Sequence, residues 1–229
     1  MVKQHLKRLA SPRTWPIAKK TLTFIARPNP GPHKLEHQIP ITVFLRDLVE
    51  LVMTSKEVKQ ILHNKDCLVD GTICHDNKRP VGLMDIVSLP KAKENFRLLI
   101  NKKNTLYATK ISEKEAQIKL CKIANKTLLK KGLMQINTTD GRNFLVKDGK
   151  SYVVGDSLQI ELPSQKITNH IPLAKGATII LTAGSHVGVI GTVESVEHQV
   201  VTVKTKEKTF RTASRFAFVV RKDKPIITV

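Results

Sequence analysis

The chain has 229 residues, enough for one large domain or several small ones, since single cores close at roughly 100–200 residues. Hydrophobic residues make up 41% and charged residues 25%, a balance that excludes wholesale disorder and fibrous or collagen-like classes. Lys and Arg number 39 against 19 Asp and Glu, and the self-repulsion of a net +20 points to a polyanionic partner, nucleic acid first among them.

No apolar run reaches the ~18 residues of a membrane span, and the basic start lacks the apolar stretch of a signal peptide, so a cytoplasmic protein without a membrane partner is expected. Cys67, Cys74 and Cys121 form no CxxC pair and are expected as reduced thiols.

The positive charge is uneven. Residues 1–40 carry a net +7, residues 41–100 only +1, residues 101–171 again +7 and residues 172–229 +5. The first forty residues also hold six of the eleven prolines, including the run RPNPGP from Arg27 to Pro32, which continues neither a helix nor a central strand. A basic arm that a partner must order is expected there. Its candidate RNA contacts are Lys3, His5, Lys7, Arg8, Arg13, Trp15, Lys19, Lys20, Arg27, His33 and Lys34, cations for phosphates interleaved with rings that stack or pack.

From Thr42 to His63 apolar residues recur at three and four positions, and Thr54 with Glu57 makes a capping box, so two short helices are expected. Asp70-Gly71 between Cys67-Leu68-Val69 and Thr72-Ile73-Cys74 supplies the positive φ angles of a tight hairpin, and Met84 to Leu89 reads as a further strand.

Ser112 and Glu115 make a second capping box. A helix to about Ala124 is expected, with Lys119, Lys122 and Lys126 along one face and Lys130 and Lys131 extending it. After Gly132 the text turns to short β-rich runs punctuated by Asp140-Gly141, Asp148-Gly149 and Gly155-Asp156. The closing segment, with strands near 178–181, 189–193, 200–203 and 216–220, suits a small barrel.

Neither GxxxxGK[ST] nor GxGxxG occurs, so nucleotide hydrolysis is unsupported. The stretch from Gly184 to Gly191 precedes a strand, where its glycines serve a tight turn whose exposed backbone, with His186 at the tip, can approach RNA. His63, Cys67, Cys74 and His75 have no zinc spacing, and Asp66 and Asp70 bracket a turn that favours Asp for backbone reasons. No metal, cofactor, catalytic residue or small-molecule substrate is expected.

HLKRLASPRTW (5–15), RPNPGPH (27–33), LRDLVEL (45–51), CLVDGTICHDNKRPVGLMDIVSL (67–89), TDGRNFLV (139–146) and GDSLQIELPSQKI (155–167) together resemble the small-subunit ribosomal protein family S4e of archaeal and eukaryotic ribosomes. The resemblance implies an α+β, multidomain chain: a basic extension (1–40), an S4-type RNA-binding domain (41–100), a central, mostly β domain (101–171) and a C-terminal KOW domain with a src-homology-3-like barrel (172–229). It also implies binding to small-subunit ribosomal RNA beside neighbouring ribosomal proteins, without catalysis. Arg46, Lys56 and Lys59 would form the RNA face of the S4-type domain with the Asp70-Gly71 hairpin, Arg142 would follow the Asp140-Gly141 turn, and Gly184, His186 and Gly188 fall on the KOW motif. The competing readings are an RNA-modifying enzyme, for which the small domains leave too few residues, and a KOW-bearing transcription or translation factor that binds and leaves.

Overall fold

The structure is a computed structural model that describes residues 5–147, 149–205 and 208–221. The chain divides into two compact units, one of Met1–Ile100 with Asn104–Gln117 and one of Asn101–Lys103 with Ile118–Val229.

In the first unit an antiparallel sheet runs in the order Thr72–Ile73, Leu68–Val69, Ile86–Leu89, Glu94–Ile100 and Leu106–Ile111. The turn between the first two strands carries Asp70 and Gly71 at φ 52° and 75°, as the Asp-Gly pair requires. The helix Ser55–His63 starts where Thr54 accepts from the Glu57 amide at 3.3 Å and Glu57 accepts from the Met53 amide at 3.0 Å. Its Val58 and Leu62 turn into a core shared with Phe44 and Leu45 from the π-helical turn Phe44–Leu48. There Phe44 meets Phe96 of the sheet edge to face at 6.3 Å.

The sequence reading opened its central domain at residue 101. The strand Leu106–Ile111 instead pairs with Glu94–Ile100 in register Ile100↔Leu106, because Leu106 is buried and the short turn before it returns the chain to the same sheet.

A larger difference concerns residues 5–40, expected as an arm waiting for a partner. Leu6–Lys7 pairs with Phe24–Ile25, and Gln38–Pro40 pairs with Pro80–Gly82. Trp15 is 2% exposed, with its indole N–H donating to the Gln38 carbonyl at 2.8 Å. Prolines forbid long elements but not packing, and one buried Trp supplies apolar area that short strands lack.

The second unit holds two antiparallel five-stranded sheets. The first runs Asn143–Val146, Met134–Thr138, Ile118–Leu128, Ser157–Glu161, Ile167–Ile171, and the second runs Thr209–Ala213, Val200–Lys204, Ile190–Glu197, Thr178–Leu181, Ala217–Arg221. The four closing strands expected from sequence are present. Thr209–Ala213 is a fifth, which its Thr-Phe-Arg-Thr alternation at an exposed edge concealed.

The helix expected from Ser112 to Ala124 ends after one turn, Glu113–Ala116, and the strand Ile118–Leu128 follows. The capping box forms, with Ser112 accepting from the Glu115 amide, but cannot propagate a helix alone. Lys119 through Ile123 are buried in the strand, where positions three apart point to opposite sides.

Candidate nucleic-acid interface

The N-terminal candidates divide by burial. Lys3 lies outside the described residues. His5, Lys7, Arg13, Lys20, Arg27 and Lys34 are exposed, with His5 edge to face on Phe24 at 5.4 Å. Arg8 is corrected from a phosphate contact to a core residue. It is 5% exposed, its Nε donates to the Ala18 carbonyl, and its guanidinium lies 3.8 Å from Asp47. Trp15 is likewise core and not a free stacking ring. Lys19 is half-buried and donates to the Ser11 carbonyl at 3.0 Å. His33 lies over Gly82, where an added Cβ would fall 2.0 Å from the imidazole, and its Nε2 is 3.3 Å from Asp85. Gly82 is therefore the seat of the RPNPGPH segment.

In the first unit Lys56 and Lys59 stand exposed on the outer face of Ser55–His63. Arg46 is half-buried and ion-paired to Asp47 at 2.6 Å, so it braces the helical turn. Asp70 also turns inward, accepting from the Ile86 amide at 2.9 Å. Lys59 lines an open groove of about 520 Å³ with Leu62, His63, Lys65, His75, Asp76 and Asn77. Sequence reasoning missed Lys65. It takes the left-handed conformation (φ 61°) just past the helix end, and the only signal was the absence of a glycine there to do so.

The lysine stripe is the main correction. Lys119 is 1% exposed and its ammonium is 3.2 Å from the Asp140 carboxylate, which also faces Arg142 at 3.5 Å and accepts from the Cys121 thiol at 3.0 Å. Burial alone would raise the Asp140 carboxyl, but the Lys119 ammonium and the Thr138 hydroxyl outweigh it and hold the group below its usual value. Lys122 is 7% exposed and donates to the carbonyls of Ser214, Arg215 and Ala217 at 3.0, 2.8 and 2.6 Å. Burial brings its pKa down to about 8. Neither lysine faces a phosphate; each satisfies a buried polar site inside the second unit. Lys126 is half-buried and donates to the carbonyls of Tyr152 and Gly149. Arg142 is half-buried and Lys130 is exposed, while the side chain of Lys131 lies outside the described residues.

The glycine-rich turn is held at several points. Gly188 has φ 70°, and a Cβ there would fall 2.2 Å from the carbonyl carbon of Asn101. The close approach that its setting suggested is thus to protein backbone. Gly184, at φ 92°, would place a Cβ 3.3 Å from the Phe216 ring, which Arg215 overlies at 4.7 Å. His186 at the tip is exposed and stacks on Phe210, with centroids 4.0 Å apart and planes 23° apart. Phe210 was missed because its strand was missed.

The clustered cysteines are buried in the hairpin. Cys67 and Cys74 lie opposite each other in the hairpin, with the Cys74 amide donating to the Cys67 carbonyl at 2.9 Å. Burial, with Cys74 beside it, pushes the Cys67 thiol up to about 12.

The Ribosomal family S4e model matches residues 92–167, and the RS4NT (NUC023) domain model matches residues 2–36. The chain is 39% identical over 233 residues to the small ribosomal subunit protein eS4 of Methanosphaera stadtmanae, covering 99% of this chain and 96% of that one. It is 36% identical over 240 residues to the eS4 protein of Methanococcus vannielii, covering 99% and 98%. The crystal structure of the 30S ribosomal protein S4e from Thermoplasma acidophilum superposes with a TM-score of 0.73 at 29% identity, covering 83% of this chain and 99% of that one.

Proposed function

The chain belongs to the ribosomal S4e family, and on that footing we propose that it is a structural constituent of the small ribosomal subunit in the cytoplasm, where it binds and stabilises small-subunit ribosomal RNA without catalysis. The observation that carries this reading is similarity over 99% of the chain to proteins named for that subunit. A charge of +20 supports it, since cations that meet phosphates release condensed counterions and need no shaped pocket.

Three groups stand out among the exposed cations: Lys7, Arg13, Lys20, Arg27 and Lys34 around the proline-rich segment; Lys56, Lys59 and Lys65 about the helix and groove of the S4-type domain; and Lys102, Lys103, Lys208 and Arg211 in the unit that carries the KOW turn. Phosphate contacts from all three fix position and orientation on the RNA, while direct base reading is left to few side chains. Buried acids support the non-catalytic reading. Asp156 accepts from the Val153 and Leu173 amides at 2.9 and 2.8 Å, and Asp85 accepts from the Gly82 amide at 2.7 Å, so these carboxylates close turns. Exposed Leu9, Leu22, Phe24 and Met53 offer apolar area to neighbouring ribosomal proteins.

Sedimentation of tagged chain with small subunits through high-salt sucrose tests the proposal. The chain is expected to stay with the subunit after the wash. Quantitative release into the supernatant would identify a transient factor instead.

A further inference from the structure

His186 is both stacked and exposed. One imidazole face is covered by Phe210, with centroids 4.0 Å apart and planes inclined by 23°, so its accessible area includes the opposite face. Phe210 is half-buried on the edge strand Thr209–Ala213, and its register partner Val203 is fully buried, so the lower ring is anchored in the small sheet's core. The turn holding the upper ring is pinned too: the Gly188 amide donates to the Leu181 carbonyl at 2.7 Å, and the Val189 amide donates to the His186 carbonyl at 3.2 Å.

A flat ring backed by a second ring, held by a tight turn and open on its outer face, loses little freedom when another flat group lands on it. The exposed cation Lys208 lies two residues before Phe210, on the same side of the extended chain.

We propose that His186, backed by Phe210, is a stacking platform for one unpaired nucleobase of RNA, with Lys208 neutralising an adjoining phosphate. This rests on the RNA-binding reading above and deepens it: duplex backbone serves the cations, whereas the platform needs a base splayed out of its stack. Stacking on aromatic side chains tolerates any sequence, so a generic RNA can probe it.

The test uses the full chain with two RNAs, a short hairpin carrying 2-aminopurine at an unpaired loop position and the same stem closed as a full duplex. The parent protein is expected to quench the loop fluorophore. His186→Ala is expected to abolish the quenching and weaken loop binding about tenfold, leaving duplex affinity and melting temperature as in the parent. His186→Phe should restore both readouts, and His186→Lys, a cation without a ring, should restore neither. Equal losses on loop and duplex, rescue by His186→Lys, or unchanged quenching in His186→Ala would each overturn the platform. Binding of both RNAs by the parent without quenching would remove the platform and leave the RNA-binding reading standing, whereas binding of neither would remove both.

Discussion

The ammonium of Lys122 donates to the carbonyl oxygen of Ala217 at 2.6 Å, joining the central strand Ile118–Leu128 to the last strand of the second unit. The carbonyls of Ser214 and Arg215 take its other two protons, so a buried cation gathers three carbonyls of the connecting turn, of which Ser214 also accepts from the Ala217 amide. Lys122→Met is expected to destabilise the protein by about 2 kcal/mol near neutral pH, because it strands buried acceptors. Burial lowers the folded pKa to about 8 against an ordinary 10.5, so between these values the unfolded chain binds more protons and this residue's contribution to stability rises with pH. The cost of Lys122→Met should therefore grow by about 2 kcal/mol from pH 7.5 to pH 10, read from paired urea titrations of parent and variant. A difference that shrinks with pH would contradict the assignment.

Trp15 is the one tryptophan of the chain, and its burial makes it a reporter of the N-terminal segment. The free protein should show blue-shifted emission that moves red only on global unfolding, and Trp15→Ala should cost about 3–5 kcal/mol. Solvent-exposed emission from the native protein without RNA would restore the picture of an unordered arm.

At Gly188 a left-handed φ and a backbone neighbour act together. Gly188→Val should lower stability by about 3 kcal/mol or more, and with it subunit incorporation, since the Asn101 main chain cannot move aside as a flexible side chain would. A melting temperature equal to the parent's would show that the turn has room.

Cys67, Cys74 and Cys121 are all buried, and burial raises each thiol. Ellman's reagent at pH 8 should leave the three intact in the native protein and modify all of them after denaturation. Rapid native labelling would place one of them at the surface.

The hairpin at Asp70-Gly71 and the helix cap at Thr54 were legible because a local rule decides them: two consecutive positive φ angles in one case, a reciprocal side-chain cap in the other. The lysines at 119 and 122 were misread because their three-residue spacing imitates a helix face, while a strand buried on both sides shows no alternation to betray it. Their partners, Asp140 and the carbonyls of residues 214, 215 and 217, come from sheet pairing and chain folding that no local pattern encodes. Arg8 and Trp15 were misplaced for a related reason: a proline-rich, basic segment reads as an arm until its one large ring finds a core. His186 was visible as a turn tip, and its stacking partner was not, because Phe210 lies on an edge strand of alternating polar residues.

The central claim is that the exposed cations hold RNA by neutralising phosphates, and a salt series of filter binding to naked small-subunit ribosomal RNA tests it most directly. If the interface neutralises even six phosphates, log affinity should fall against log salt with a slope of about −5. Lys56→Gln with Lys59→Gln should flatten that slope by about two, whereas Lys122→Met, whose cation is buried, should leave it unchanged. A slope near zero for the parent, or an equal flattening by the buried and the exposed substitutions, would contradict the account.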